Sequence, residues 1–252
     1  MKVARINVTP VKGLGLQHPD GVELTARGVE SNRRFYLIEG WRLFNGKDHG
    51  PLVRIRPEAE DGRLTLRFPD GRAVDGEWRL GEPLTTNFWG RTVRGRLVHG
   101  PWADALSEYA GTSLQLVRTD EPGTGIDVHV GTLVSDGSCV RLGQELDAHV
   151  DARRFRMLFE VEGVDAHAED AWDRVRIGEA LVRVAGPVPR CAVTTQDPDT
   201  GVRSLDTLGG IKAYRGLRDG TQIDFGVYFD VLEPGRVRVG DTIQIESSSP
   251  SR

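Results

Sequence analysis

The sequence predicts a mainly β (α+β) fold, with two β-barrel-like subdomains and a few short helices. Three observations carry this. Polar and apolar residues alternate along many short runs. Turn pairs such as Asp61–Gly62, Asp70–Gly71 and Asp75–Gly76 recur at strand-sized spacing. Only one segment, 101–111, shows helical periodicity with both ends marked.

The elements follow in order. VARINVTPV alternates and runs into the glycine-rich turn KGLG. RRFYLIEG and WRLFNG form a hairpin closed near Glu39–Gly40, with Asn45–Gly46 as the next turn. LVRIRP, RLTLRFPDG and RTVRGRLV continue as strands, which makes the first hundred or so residues an antiparallel barrel or sandwich. PWADALSEYAG is a helix: Pro101 opens it, Leu106 and Tyr109 share a face, and Gly111 stops it. It marks a seam, so the expected subdomains are 1–98 and 99–248. A second short helix is expected around GQELDAHV. Strands then return in RMLFEVEG, RVRIGEALVRVAG and FGVYFDVLEPGRVRVGDTIQIE, the last turning at Pro234–Gly235. The tail SSSPSR is polar and expected to fray.

Composition narrows the function. The 252 residues carry a net charge of −4 and no run of like charges, so no nucleic-acid surface is indicated. MKVARINVTPVKGLG holds no signal-peptide core, and no stretch approaches the roughly 20 apolar residues of a membrane span. Two cysteines, Cys139 and Cys191, make neither a disulfide framework nor an iron–sulfur site. A cytoplasmic location is therefore expected, and electrons for any redox chemistry must come from another protein. Lysine is rare, occurring only at positions 2, 12, 47 and 212.

The most informative stretch is RCAVTTQDPDTG, 190–201. A lone cysteine is commonly a packing residue. Here Pro187, Pro189 and Arg190 restrict the chain before Cys191, while Asp197, Asp199 and Gly201 turn it sharply afterwards. A cation beside a held cysteine suits a sulfur used as a nucleophile or as a soft metal ligand. Cys139, in DGSCVRLG, has no such neighbour and reads as structural.

These residues resemble the MOSC domain family, named for the C-terminal domain of molybdenum cofactor sulfurases, and within it the amidoxime-reducing branch. RC followed by TTQDPDTG, FGVYF and GRVRVGD carry the likeness. So do PVKG at 10–13, GVESNRRFYL, DARRFR and DAHAEDAWDRVRIGEA, all in the family's order along nearly the whole chain. The resemblance implies a molybdenum cofactor (Mo-molybdopterin) in a groove between the two subdomains. Cys191 would be the metal ligand. Lys12, Arg33, Ser135, Arg156 and Arg190 would grip the pterin phosphate, and Tyr228 would lie near the metal. It further implies reduction of an N- or S-oxygenated small molecule, with electrons from a separate flavin or iron–sulfur protein. Arginine forks suit phosphate oxygens independently of any family, although each arginine alone also reads as a solvated charge.

The chain departs from the family at several points. Asn32 replaces an aspartate, Phe35 a tryptophan, and Met157–Leu158 a proline–amide pair; Lys47, in GKDHGPL, stands where an arginine loop is usual. Two other functions fit the same cysteine: a persulfide-bearing sulfurtransferase, and a non-catalytic cofactor carrier. The pairs Asp127/His129, Asp147/His149 and Asp165/His167 would share a strand face and could serve a metal hydrolase, but no H-x-H or H-E-x-x-H spacing accompanies them. There is no G-x-S-x-G elbow and no G-x-G-x-x-G unit, and Trp172 reads as core.

Overall fold

A computed structural model describes residues 1–246, and the tail at 247–252 lies outside the described residues. The first strands are β1 (Lys2–Ile6), β2 (Gly21–Leu24), β3 (Phe35–Glu39), β4 (Arg42–Phe44), β5 (Arg56–Glu60), β6 (Arg63–Arg67), β7 (Ala73–Glu77), β8 (Arg79–Phe88) and β9 (Arg91–His99). Helix α1 (Trp102–Ala110) and β10 (Gln115–Thr119) follow. Then come β11 (Gly131–Ser135), α2 (Asp136–Leu146), β12 (Phe159–Glu162), β13 (Arg174–Ile177), β14 (Ala180–Pro189), α3 (Thr207–Arg215), β15 (Asp224–Glu233), β16 (Gly235–Arg238) and β17 (Ile243–Glu246).

One sheet runs β1-β12-β11-β15-β14-β13-β17, and the bridge from Lys2 to Thr242 nearly closes it into a barrel. Ile6, Leu133, Phe159, Val227 and Phe229 fill it. The other half is the five-stranded sheet β4-β3-β10-β9-β8 with the smaller β5-β6-β7 sheet beside it. The chain crosses the expected 98/99 boundary in both directions. Strand β1 pairs with β12, and β2 with β16, so the first residues belong to the second half. Helix α1 and β10 belong to the first: Trp102 is fully buried among Phe35, Leu64 and Leu116, and its Nε1 donates to the Leu64 carbonyl at 3.0 Å. Burial of such a ring outweighs any local seam signal.

Strands buried on both faces hide their alternation. In β3, Phe35 and Leu37 face the Trp102 cluster, while Tyr36 and Ile38 face Phe88 and Val93. In β15, Val227 and Phe229 enter the barrel, and Phe225 and Tyr228 pack under α2 and α3.

The expected helix at 101–111 is present, ended by Gly111 at φ 69°. The second helix starts earlier than expected. Ser135 caps α2 by accepting the Ser138 N–H at 3.1 Å, and Gly137 is required because a Cβ there would lie 2.2 Å from the Val164 carbonyl oxygen. Helix α3 was not legible through its Gly209–Gly210 pair. Asp206 caps it at 3.0 Å, and Gly210 lets Leu146 approach to 2.7 Å of a would-be Cβ. Asp75–Gly76 is not a turn but lies within β7, where Gly76 leaves room for Pro101 and Trp102. Pro234–Gly235 sends β16 away from β15 to pair with β2. Trp172 is core, as expected. Among the described residues, no helix is long and apolar enough to cross a membrane.

Candidate functional site

Lys12, Arg33, Arg156, Arg190, Cys191 and Tyr228 line one cleft between the two halves, around a cavity of about 150 Å³. They come from segments scattered over the whole chain. Lys12 is held where its N–H donates to the Phe35 carbonyl at 2.8 Å, and Gly13 turns the chain away at φ 91°. Arg33 follows Asn32, whose Oδ1 accepts the Thr9 N–H at 3.0 Å; the amide at this departure from the family pattern thus fixes the loop. Arg33 and Arg156 both sit in the left-handed region, at φ 55° and 53°. Residues other than glycine uncommonly adopt that conformation, and strained backbone concentrates at functional sites.

The cleft is strongly cationic. Lys12, Arg33, Lys47, Arg154, Arg156 and Arg190 face a single carboxylate, Asp127. Lys12 is buried; its Nζ donates to the Gly125 carbonyl at 3.1 Å and to Asp127, and lies 5.4 Å from the Phe88 ring and 5.2 Å from the Trp89 ring. Burial pulls its pKa down to about 8; Asp127 opposes this and Arg33 adds to it. Burial and then Arg33 lower the Arg156 guanidinium as well. Burial pushes the Asp127 carboxyl up, but Lys12 and Arg33 more than offset this and hold it below the usual range. Arg33 Nη2 donates to the Arg156 carbonyl at 3.0 Å, and Arg156 Nη2 to the Leu14 carbonyl at 2.6 Å, so the two halves are stitched through the pair.

Arg190 differs from the expected anion grip. Its Nε donates to the Phe225 carbonyl at 2.8 Å, Nη1 to the Phe155 carbonyl at 3.1 Å, and Nη2 to Met157 Sδ at 2.6 Å. It anchors the cleft floor rather than presenting an open fork. Met157, one of the departures from the family, is therefore a partner of Arg190.

Cys191 is half-buried and free, between β14 and a 3-10 turn at Ala192–Thr195. Its carbonyl accepts the Thr194 N–H at 3.1 Å. The following turn is built as its sequence implies: Asp197 Oδ1 accepts the Asp199 and Thr200 N–H groups at 3.1 and 2.9 Å, and Gly201 takes φ 73°. Tertiary contacts clamp this loop to the first half. Gln196 Nε2 donates to the Gly46 carbonyl at 2.7 Å, and the Gly50 and Gly201 backbones meet so closely that a Cβ on either would lie 2.1 Å from the other's oxygen. Tyr228 is 9 % exposed, lines the same cleft, and has no hydrogen-bond partner for its hydroxyl among the described residues; burial raises its pKa.

Ser135 does not join the group. It caps α2, and its Oγ is committed to Glu169 at 2.8 Å and Ser138 at 2.7 Å, on the other side of β11 from the cleft. Family-pattern spacing located it, but its hydroxyl serves the buried Glu169. Asp127, Trp89 and Arg154 were not read as site residues. Only Asp127 carried a signal, its place in Asp-Val-His, and that pairing does not form: Asp127 meets Lys12, while His129 meets Asp230 at 3.0 Å. His167 meets the Tyr214 hydroxyl at 3.1 Å, and no group of three or more His, Cys, Asp or Glu among the described residues could hold a metal. Cys139 is buried in α2, which pushes its thiol far up and suits a structural role.

The residues present fit an anionic cofactor with a soft-ligated metal. The cleft lining holds six cations to one carboxylate, with Lys12, Arg33 and Arg156 clustered around Asp127. This excess of positive charge favours an added anion, and the cleft's cysteine is the soft donor.

A model of the MOSC domain matches residues 121–244. The chain is 38 % identical to mitochondrial amidoxime reducing component 2 of Homo sapiens, covering 96 % of this chain and 82 % of that one. It is 32 % identical to mitochondrial amidoxime-reducing component 1 of Mus musculus over the same shares. Among solved structures, the YuaD protein from Bacillus subtilis is similar at a TM-score of 0.47 and 11 % identity, covering 96 % of this chain and 93 % of that one. The relatives' mitochondrial names overturn the cytoplasmic location expected from composition. Composition and the lack of an apolar run say little about a compartment reached by other signals.

Proposed function

Because the chain belongs to the MOSC-domain family of amidoxime reducing components, we propose that it is a molybdenum-dependent reductase acting on N-oxygenated small molecules at the Lys12–Cys191 cleft. The single observation that carries this reading is the convergence of Cys191 with Lys12, Arg33 and Arg156 in one cavity. Lys12, Arg33 and Arg156 would hold the pterin phosphate, and Cys191 would ligate the metal. When bound, the molybdenum cofactor supplies a two-electron redox centre.

The chain's own residues supply the rest. Arg190 and the Gln196–Gly46 bond keep the Cys191 loop in place. Tyr228 presents an unpartnered hydroxyl toward the cavity, placed to hydrogen-bond a substrate oxygen. In the net reaction the N–O bond breaks, two electrons and two protons are taken up, and the oxygen leaves as water. The electrons come from a separate flavin or iron–sulfur protein.

The test is molybdenum per chain, by elemental mass spectrometry, on protein from a host that makes the cofactor, beside Cys191→Ala. Near-stoichiometric metal that falls in the variant, with reduction of benzamidoxime by the wild type, is expected. Metal absent from all samples after incubation with free cofactor refutes the proposal and directs attention to a persulfide on Cys191, readable by intact mass.

A further inference from the structure

The hairpin joining β8 to β9 carries a residue that its own geometry disfavours. Phe88 pairs with Arg91, leaving a two-residue loop of Trp89 and Gly90 at φ 51° and 91°. Positive φ at both central positions defines the tight hairpin turn that selects Asn-Gly. A bulky indole in the left-handed region is an outlier, and this one is also 55 % exposed. Neither hairpin formation nor core packing accounts for it. Its surroundings do: Trp89 lines the cleft mouth, with Lys12 Nζ 5.2 Å and Lys47 Nζ 5.9 Å from its ring.

Lys47 is equally specific in its placement. Its N–H donates to Asn45 Oδ1 at 2.9 Å, and the neighbouring Gly46 carbonyl is held by Gln196, so the backbone that roots the side chain beside Trp89 is fixed. Lys47 is exposed and has no carboxylate partner among the described residues. An unpaired ammonium beside an exposed aromatic face suits a flat conjugated group that stacks on the indole and carries an anion to the lysine.

We propose that Trp89 and Lys47 form a substrate-selecting lip, and that the preferred substrates are planar, conjugated N-oxygenated molecules bearing a carboxylate. This rests on the reductase reading and narrows its substrate class. The lip belongs to the first half of the molecule, opposite the second-half segments that carry Cys191 and Tyr228. A bound molecule would therefore have its carboxylate outward and its N–O group toward the thiol side.

The experiment measures binding of 4-carboxybenzamidoxime and benzamidoxime to holoenzyme without reductant, by calorimetry, for wild type, Trp89→Asn and Lys47→Gln. Wild type is expected to prefer the carboxylated probe about two- to fivefold, the Lys47→Gln variant to lose that preference, and the Trp89→Asn variant to bind both probes up to about tenfold more weakly. Because asparagine suits the turn, Trp89→Asn is also expected to raise the melting temperature by about 2–4 °C, which separates loss of binding from loss of fold. Equal affinity of wild type for the two probes, or unchanged binding in Trp89→Asn, overturns the proposal. Reduction of both probes is followed in parallel samples supplied with a chemical electron donor such as a reduced viologen. Binding that depends on Trp89 and Lys47 without any turnover counts against the reductase reading and leaves the lip standing; turnover with binding indifferent to both residues does the reverse.

Discussion

Lys12 offers a test of the cationic cleft that needs neither metal nor turnover. Its ammonium is buried, and burial brings its pKa from 10.5 to about 8. Two trends of opposite sign follow. An anion in the cleft is held by the charged form, which falls from about nine-tenths at pH 7 to about one-tenth at pH 9, so affinity for an anion should drop nearly tenfold. Stability of the cofactor-free protein should move the other way. Between pH 8 and 10.5 the unfolded chain keeps a proton that the folded chain has lost, so folding becomes more favourable as pH rises, by at most roughly 3 kcal/mol from this residue. Sulfate is the suitable anion because its charge is constant over this range. The assay is calorimetric titration of cofactor-free protein with sulfate at pH 7, 8 and 9, with urea unfolding over pH 8–10.5, for wild type and Lys12→Met. The difference between the two proteins isolates the lysine from other titrating groups. If sulfate affinity in wild type and variant changes in parallel with pH, the buried-ammonium reasoning is wrong.

Two further outcomes are expected. Gly201→Ala places a Cβ 2.1 Å from the Gly50 oxygen at a φ of 73°. Urea unfolding should show a loss well above the about 1 kcal/mol expected of Gly71→Ala, where φ is 89° but nothing lies within 4 Å; equal losses would mean that the two loops do not press together in solution. His167 is pulled down to about 4 by burial first and by Arg215 second. Its folded pKa lies below its unfolded value, so the stability it supports is complete above about pH 6.5 and is lost as pH falls toward 4. His167→Gln should flatten the acid limb of a stability–pH curve in that window, and an unaltered limb would argue that the imidazole is not sequestered by Tyr214 and Arg215.

Where the sequence could be read, local physics was enough. Pro101 and Gly111 bound α1 because a fixed φ suits a helix start and a positive φ suits its end. The turn after Cys191 forms because Asp197 accepts from the next residues of its own chain. Where reading failed, the deciding contact lay far away. Helix α3 carries Gly210 because Leu142 and Leu146 of α2 need the space, and Gly209 because the capping Asp206 carboxylate sits against it. Pairing across the expected 98/99 boundary was not legible because β1 finds its partner at Phe159–Glu162.

The candidate site divides in the same way. Its residue types were legible: a constrained Cys191, a rare lysine at a glycine turn, and arginines able to bind an anion. Motif resemblance along the chain pointed to the family, and local patterning sufficed for a mainly β fold, because turn chemistry and strand alternation are properties of neighbouring residues. Tertiary structure alone decided which of them share a cavity. It brought Lys12 to Asp127, 115 residues on, withdrew Ser135 to Glu169, and turned Arg190 toward backbone carbonyls. Side-chain direction in a closed sheet depends on register with strands distant in sequence, and buried donors take whichever acceptors the packed chain leaves within reach.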